Sequence, residues 1–213
     1  MVERGRDELR RQLAEKNTPE LNRGLPSATV GIAGCGGLGS NVAVALARVG
    51  VGRLVIVDYD VVQPSNLNRQ CFFLDDLGEP KVLALARTIS RISPFVEVRE
   101  HQSRVTLENL RELFGGCDVV VEAFDTAEAK SMIVGAFLAG HMGATPLVCG
   151  SGLAGSDSSN TIETRLLGGR VYVCGDLESR PVDGRGLMAP RVMIAAGHQA
   201  NMVLRLLAGE TQP

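Results

Sequence analysis

Apolar and polar positions divide the chain into short unbroken apolar runs and longer stretches with helical periodicity. Residues 53–58 form an apolar run that ends in an acid, and residues 117–123 form a second run of the same kind. Such runs are typical of strands that are buried on both faces of a parallel sheet. Apolar residues within 80–92 instead recur at the spacing of one helix face, which predicts a helix there.

The same pattern, punctuated by glycine and proline, predicts strands that alternate with helices. Predicted strands cover residues 28–33, 53–58, 95–100, 117–123 and 146–150. Predicted helices cover residues 7–16, 41–49, 80–92, 107–113 (capped by Thr106), 127–139 and 190–208, the last ending at Gly209. Residues 161–167 and 170–174 are predicted to form an antiparallel hairpin around Gly168 and Gly169.

This alternation predicts an α/β fold with a doubly wound, mainly parallel, Rossmann-like sheet, a C-terminal antiparallel hairpin and a terminal helix. We expect residues 1–27 to form an N-terminal helical extension with a connector over 17–26, and residues 28–213 to form one domain. The length of 213 residues is typical of a single domain.

Composition narrows the class of protein. Hydrophobic residues make up 45% and aromatic residues only 4%, so the core is expected to be aliphatic. A formal net charge of −2 gives no electrostatic reason to expect nucleic acid as a partner. No apolar run has the length that a membrane span needs, and the charged N-terminus lacks an apolar signal core, so we expect a cytoplasmic protein.

A glycine turn follows the first predicted strand. Gly34, Gly36 and Gly39 fit the spacing G-x-G-x-x-G, and Gly37 lies inside the same turn. Glycines at this spacing allow positive φ angles and close approach of a phosphate to the backbone at a helix N-terminus. A nucleotide site is predicted, although a glycine turn can also join a strand to a helix without any ligand.

Acidic residues and a long loop follow the other strands. Asp58 lies 22 residues after Gly36, where dinucleotide folds place the acid that binds the ribose. The irregular stretch 59–78 comes next, and Asp125 follows the strand over 117–123. Because ligands of doubly wound sheets bind beyond the carboxyl ends of the strands, we expect these stretches and the glycine turn to meet in one crevice.

Four motifs together carry a family resemblance. They are GCGGLGS from Gly34, VDYDVVQPSNLNRQ from Val57, Lys81, and AFDTAE from Ala123. The chain resembles the adenylyltransferases of the ThiF, MoeB and HesA type, which activate ubiquitin-like proteins and sulfur carriers. The similarity covers residues 28–140, and its most specific part is 65–70, SNLNRQ, which ordinary dehydrogenases lack. The short chain, its SGLAGSDSSN loop and its closing QAN segment look most like the short form from thiamine biosynthesis.

The resemblance implies roles for the polar residues of the crevice. The four glycines of the turn would contact the nucleotide, and Asp58 would bind both ribose hydroxyls. Asn66 and Arg69 would hold the triphosphate, because a guanidinium binds phosphate oxygens in bidentate fashion. Lys81, in the first turn of a helix, would bind phosphate as well. The alternatives are a solvated acid for Asp58, a surface salt bridge for Arg69 and a structural lysine at 81.

Magnesium is the metal that the resemblance implies. Asp125 would be its ligand, since Mg²⁺ binds carboxylate oxygen while it retains several waters. The alternative is that Asp125 caps the helix over 127–139. Asp60 could stand near the metal or simply be solvated in its loop.

The implied reaction is ATP-dependent adenylation of the C-terminal glycine carboxylate of a ubiquitin-like, ThiS-like sulfur carrier that ends in Gly-Gly. The carboxylate is already ionised at neutral pH, so no general base is required. We therefore expect Arg69, Lys81, Asn66 and Asp125 to carry catalysis, with ATP and Mg²⁺ as cofactors. The alternatives are an NAD-dependent oxidoreductase, which would leave SNLNRQ unexplained, and a non-catalytic relative that only binds a carrier.

A homodimer is also expected. The last predicted helix carries more apolar surface than one sheet edge needs, at Val192, Ile194, Val203, Leu204, Leu206 and Leu207. In the family a basic residue is often donated across the dimer. Arg10, Arg11 and Arg23 are the candidates, and the sequence does not decide among them.

The five cysteines and three histidines have no metal-binding spacing. Longer relatives hold zinc with two C-x-x-C pairs, and this sequence has none, so no zinc is expected. Such relatives also use a reactive cysteine in a mobile loop. Cys149 and Cys174, the latter before a predicted loop over 175–189, are the candidates here, with a buried cysteine as the favoured alternative. The histidines are interpreted as structural.

Overall fold

The computed structural model describes residues 3–182 and 185–213. Met1 and Val2 of the predicted extension, and Asp183 and Gly184 of the predicted loop over 175–189, lie outside the described residues. The helices are α1 Glu3–Leu13, α2 Pro19–Gly24, α3 Gly37–Val49, α4 Lys81–Ile92, α5 Leu110–Phe114, α6 Ala127–Leu138 and α7 Ala189–Leu207. The strands are β1 Thr29–Ala33, β2 Arg53–Val57, β3 Glu97–His101, β4 Val119–Glu122, β5 Leu147–Gly150, β6 Glu163–Gly168 and β7 Val171–Gly175.

The seven strands form one sheet in the order β3-β2-β1-β4-β5-β7-β6. All neighbouring pairs are parallel except β6 and β7, which form the antiparallel hairpin. The chain order reverses on either side of β1, as in a doubly wound sheet. The predicted fold class, including the hairpin and the terminal helix, is confirmed.

Two hydrophobic clusters cover the two faces of the sheet. Alternate residues of β1 and β4, such as Ile32 and Val121, face a cluster that includes α3, α4 and α7. Their neighbours Ala33 and Val120 face the other cluster, which includes α5 and α6. Because successive strand residues point to opposite faces, burial on both faces requires the unbroken apolar runs of the sequence.

Helix α7 packs most of its apolar residues within its own chain, although Met193 is exposed. Val192 and Val203 are fully buried, and Ile194 and Leu204 pack against the same cluster. Leu206 and Leu207 are also packed against it. The surplus of apolar surface that suggested a homodimer is therefore explained by contacts inside the chain, and the homodimer stays a prediction.

Four helices differ from the predicted pattern. Helix α1 spans Glu3–Leu13 rather than 7–16, and α3 begins at Gly37 rather than at 41, because the last glycines of the turn are already helical. The other two, α2 and α5, are short. The predicted connector over 17–26 contains α2, which has Pro19 at its first position, a placement that helices tolerate well. Helix α5 begins at Leu110, because Thr106 forms a turn with Asn109 in which each residue's side-chain oxygen accepts from the other's backbone N–H. Among the described residues, no helix has the length and apolar character that crossing a bilayer requires.

Candidate active site

A cavity of about 840 Å³ lies beyond the carboxyl ends of the strands. Its lining includes the glycine turn, the end of β2, Arg69, Lys81 and the start of α6. Gly34, Gly36, Gly37, Asp58, Asn66, Arg69, Lys81 and Asp125 all line it. The structure thus brings together the stretches that the strand pattern and the resemblance pointed to. Gly39 is not part of the described lining and lies in the first turn of α3.

Two glycines of the turn have no room for a side chain. Gly34 has a φ of +99°, and a Cβ there would lie 2.7 Å from the carbonyl oxygen of Ala123. At Gly39 an added Cβ would lie 1.8 Å from the carbonyl oxygen of Gly34. The turn is therefore folded back on itself at the N-terminus of α3, where helix N–H groups and the helix dipole favour an anion.

Asp58 binds the backbone of two loops. Its Oδ2 accepts a hydrogen bond from the Cys35 backbone N–H at 2.6 Å, and its Oδ1 accepts from the Asp60 N–H at 2.8 Å. The carboxylate thereby fixes the glycine turn to the end of β2. Each oxygen has a second lone pair, so the same carboxylate can still accept from ribose hydroxyls at the cavity surface.

Arg69 lies over the glycine turn. Its Cγ and Cδ would be 3.5 Å from a Cβ at Gly37. Its Nη1 donates to the Ser65 carbonyl at 3.1 Å and to Asn68 Oδ1 at 2.7 Å, so the acceptors in the described residues are neutral oxygens. Among the described residues, no salt bridge joins Arg69 to a carboxylate, and its positive charge lies at the cavity.

Asn66 holds its own segment in shape. Its Oδ1 accepts from the Gln63 backbone N–H at 2.9 Å, which closes the short helical turn Pro64–Asn66. Its amide nitrogen remains a donor group at the cavity wall. Asn66 therefore shapes the segment that carries Arg69 and lines the cavity as well.

Lys81 is buried and paired. Its Nζ lies 2.8 Å from Asp60 Oδ2, and its side chain is 7% exposed against 43% for that of Asp60. The sequence was compatible with Asp60 either near the metal or solvated in its loop. In the structure Asp60 is the ion-pair partner of Lys81. An ammonium has three donors, so the pair leaves donors available for a phosphate that enters the cavity.

Asp125 is exposed at the cavity edge, just before α6. The alternative that Asp125 caps α6 is wrong. Thr126 is the N-cap residue, and its side chain accepts from the Ala129 N–H at 3.3 Å. Within the described ranges, no side-chain hydrogen bond engages the Asp125 carboxylate, so it faces solvent and the cavity.

Sequence reasoning missed a buried ion pair at the base of the cavity. Lys130 Nζ lies 2.9 and 3.1 Å from the two carboxylate oxygens of Glu122 and donates to the Gly150 carbonyl at 2.8 Å. Burial raises the pKa of Glu122, while Lys130 acts in the opposite direction. The pair joins the carboxyl ends of β4 and β5. The only sequence signal was an acid within an apolar run, eight residues before a lysine.

Two further arginines reach the cavity wall. Arg104 stacks over the ring of Tyr59, 4.0 Å from its centroid, within the range of a cation–π contact. Arg180 lines the cavity from the segment that follows β7. Neither residue lies in a recognisable motif, and only the fold reveals that they share this site.

The candidate arginines for donation across a dimer lie elsewhere. Arg10 stacks on Phe95 at 4.7 Å, and Arg11 pairs with Glu8 on the exposed face of α1. Arg23 lies in α2, before the first strand. None of the three lines the described cavity, which lies at the opposite ends of the strands.

The cysteines are outside the described lining of the cavity, although Cys35 lies within the glycine turn and Cys71 follows Gln70. Cys174 is fully buried and burial raises its pKa to about 11. Burial also raises the pKa of Cys149 well above its usual range. Cys174 also contacts Thr164, whose hydroxyl lies 3.0 Å from His198 Nδ1. The expectation that a buried hairpin cysteine is the favoured case agrees with this geometry.

Comparison with known protein families gives one match that spans nearly the whole chain. Residues 9–213 match the ThiF family. Over 116 residues the sequence is 41% identical to the SAMP-activating enzyme E1 of Haloferax volcanii, an alignment that covers 54% of this chain and 43% of that protein. It is 30% identical over 196 residues to the molybdopterin-synthase adenylyltransferase of Escherichia coli, covering 89% of this chain and 76% of that protein.

The fold is shared with solved structures of low sequence identity. The tRNA N6-threonylcarbamoyladenosine dehydratase TcdA of E. coli, solved in complex with ATP, superposes with a TM-score of 0.81 at 22% identity. The match covers 97% of this chain and 95% of that one. By contrast, the chain covers less than half the length of the SAMP-activating enzyme.

Proposed function

This chain belongs to the ThiF family, and we propose that it is an adenylyltransferase that uses ATP to activate the C-terminal glycine carboxylate of a ubiquitin-like sulfur carrier protein. The observation that carries the proposal is the composition of the cavity. The lining contains a glycine turn at a helix N-terminus, Asp58, Lys81, the exposed Asp125, and Arg69, whose hydrogen-bond acceptors among the described residues are neutral. Two relatives with this chemistry in their names, from Thermus thermophilus and E. coli, support it.

The proposed reaction is a nucleophilic displacement at phosphorus. A carboxylate oxygen of the carrier's terminal glycine attacks the α-phosphorus of ATP and forms a new O–P bond. The bond from the α-phosphorus to the oxygen that bridges to the β-phosphorus breaks, and pyrophosphate leaves with that electron pair. Since no proton is transferred, catalysis consists of alignment and charge stabilisation.

Three features of the chain stabilise the charge in this proposal. The guanidinium of Arg69 and the ammonium of Lys81 face phosphate oxygens whose negative charge shifts toward the leaving group. The N–H groups at the start of α3 add donors that are fixed in place before the reaction begins. Asp58 orients the nucleotide through its ribose hydroxyls.

Magnesium fits the donors that the cavity provides. Mg²⁺ is commonly held by one or two carboxylates together with substrate phosphates and water, rather than by an all-protein cage. Asp125 supplies an exposed carboxylate at the cavity edge, and the described residues contain no cluster of three or more His, Cys, Asp or Glu side chains suited to a metal. Bound there, Mg²⁺ would neutralise charge on the phosphates.

The carrier is proposed to be of the ThiS type, which would place the reaction in thiamine biosynthesis. The protein is also proposed to work as a homodimer. The loop SGLAGSDSSN supports the ThiS-type carrier through its resemblance to the short family members. The cysteine geometry supports a reaction that ends at the acyl adenylate, because a thiolate nucleophile would need exposure and a lowered pKa.

Exchange of labelled pyrophosphate into ATP tests the proposal. We expect exchange that depends on Mg²⁺ and on a purified ubiquitin-like sulfur carrier with a free C-terminal Gly-Gly, and that is lost when the carrier lacks its last glycine. An NAD-dependent oxidoreductase would bind NAD and give no exchange. A non-catalytic relative would bind the carrier without exchange, and either result would refute the proposed activity.

A further inference from the structure

A buried arginine in the first turn of α7 joins two loops at the cavity. The side chain of Arg191 is 3% exposed and its Nη2 lies 2.5 Å from Asp176 Oδ2. Its Nη1 donates to the backbone carbonyls of Asp157 at 2.8 Å and Ser158 at 2.7 Å. One guanidinium therefore connects α7 to the loop over 151–161, here the β5 loop, and to residues 176–182, here the β7 segment.

Asp176 continues the connection into the β7 segment. Its Oδ1 accepts from the backbone N–H groups of Glu178 and Ser179, each at 2.8 Å. Burial opposes ionisation, but these hydrogen bonds and the Arg191 guanidinium lower the pKa of Asp176 to about 2. Ser179 Oγ then accepts from the Ala154 N–H at 3.1 Å, which returns the network to the β5 loop. Arg191 thus lies at the centre of a closed set of contacts.

These two loops form one wall of the cavity. Gly150–Ala154 of the β5 side and Ser179–Val182 of the β7 segment line it together. The glycine turn, Asp58, Arg69 and Lys81 line other parts. If the nucleotide occupies those residues, the wall made by the two loops is left for the second substrate.

Ordinary packing does not account for Arg191. Its charge lies in the first turn of a helix, where the dipole disfavours a cation. Burying a paired charge is on balance no more stabilising than an apolar side chain of similar volume. What a planar guanidinium provides that an apolar residue cannot is several directional hydrogen bonds to separate segments.

We propose that Arg191 is a positioning residue for the acyl substrate: it fixes the β5 loop and the β7 segment as the wall along which the C-terminal tail of the carrier reaches the nucleotide. The inference rests on the proposed function. Arg191 does not touch ATP in this scheme, so its loss affects use of the carrier and leaves nucleotide binding intact.

The test compares Arg191→Lys with Arg185→Lys. Arg185 pairs with Asp157 of the same β5 loop, but its side chain is 41% exposed, so it is a matched control outside the buried network. For Arg191→Lys we expect the KM for a Gly-Gly sulfur carrier in pyrophosphate exchange to rise roughly tenfold or more, since small misplacements of a substrate have large effects. Its Kd for a non-hydrolysable ATP analogue should stay within about twofold of wild type, a change too small to indicate a lost contact.

A second readout does not depend on the carrier. A glutamate-specific protease should cleave after Glu178, which is exposed, faster in Arg191→Lys than in wild type or Arg185→Lys. If Arg191→Lys lacks a cooperative melting transition, Asp176→Asn, which weakens the same ion pair, replaces it in both assays.

The outcomes separate the two proposals. An unchanged carrier KM, or a nucleotide Kd that rises in step with the KM, overturns the role of Arg191. If wild type shows no carrier-dependent exchange, the proposed function fails. In that case cleavage after Glu178 still decides whether Arg191 fixes the segment, and equal rates in the variant and wild type overturn the inference.

Discussion

Arg69 offers the sharpest test at the scale of a single residue. Its charge has neutral partners among the described residues and its stem lies over the glycine turn. We expect Arg69→Ala to lower carrier-dependent pyrophosphate exchange on the order of 100-fold, as for other fixed donors at developing charge. The melting temperature should change little, because the side chain is not part of the core.

Arg165 provides the matched control for Arg69. It lies on edge strand β6, pairs with Glu163 on the surface and is absent from the described cavity lining. Arg165→Ala should keep exchange close to wild type. Near-normal exchange in Arg69→Ala, with normal exchange in Arg165→Ala, would remove Arg69 from the proposed mechanism.

Asp125 and Thr126 are neighbours with separable roles. Because Thr126 caps α6, Thr126→Ala should lower the free energy of unfolding by about 1 kcal/mol. Asp125→Asn should keep the melting temperature and lose Mg²⁺-dependent exchange. Thermal unfolding and exchange at a series of Mg²⁺ concentrations distinguish the two. A sharp fall in melting temperature for Asp125→Asn, with exchange per folded molecule unchanged, would contradict the metal role.

Residue positions were more predictable than residue partners. Asp58 and Asp125 follow apolar runs in the sequence, and the ends of parallel strands share one edge of the sheet, so their convergence could be anticipated. The contacts of Lys81 with Asp60 and of Lys130 with Glu122 depend on side-chain conformations and on how β4 lies beside β5. No periodicity of the sequence carries that information.

At the scale of the element, two helical glycines differ in whether there is room for a side chain. A Cβ at Gly39 would meet backbone at 1.8 Å. At Gly135, inside α6, no other described residue outside the helix's own backbone lies within 4 Å of an added Cβ. Gly39→Ala should therefore abolish ATP binding or folding. Gly135→Ala should raise the free energy of unfolding by about 1 kcal/mol, the helix preference of alanine over glycine. Denaturant unfolding and ATP binding measure both, and a Gly39→Ala protein that binds ATP normally would show that the turn can relax.

Elements with a strong apolar pattern followed the sequence prediction, and polar or weakly patterned ones did not. Strand β2 and helix α4 were predicted to within a residue, because an unbroken apolar run defines β2 and an apolar stripe defines α4. The polar helix α1 lies at Glu3–Leu13 rather than over 7–16. Helix α2 has no buried residue, so no apolar stripe revealed it. Its only signal was Pro19 after Thr18, which also suits a connector. Helix α5 is five residues long. The hydrogen bonds between the side chains and backbone of Thr106 and Asn109 form a turn, and the helix begins after it, at Leu110.

At the scale of the whole molecule, the described thiols are kept out of the lining of the cavity, although Cys35 lies within the glycine turn. The cavity lies beyond the carboxyl ends of the strands, while Cys117 lies before β4 at the other end. Burial raises the pKa of Cys117 to about 12 and that of Cys35 well above its usual range. Under the proposed function, the chain would make the acyl adenylate, and a nucleophile from another molecule would consume it.

This separation predicts that adenylation survives the loss of each thiol. Replacing Cys35, Cys71, Cys117, Cys149 and Cys174 one at a time by Ala should leave exchange per folded molecule near wild type. Replacing the buried Cys174 by Ala should lower the free energy of unfolding by about 1 kcal/mol through lost packing, and should leave the rate of exchange unchanged.

Formation of a carrier thiocarboxylate, measured separately by mass spectrometry with an added sulfur donor, should also persist in Cys174→Ala. If that variant keeps its melting transition and exchange but forms no thiocarboxylate, Cys174 becomes exposed during the sulfur step. If exchange itself is lost, a thiol takes part in adenylation and the proposed division between the two half-reactions is wrong.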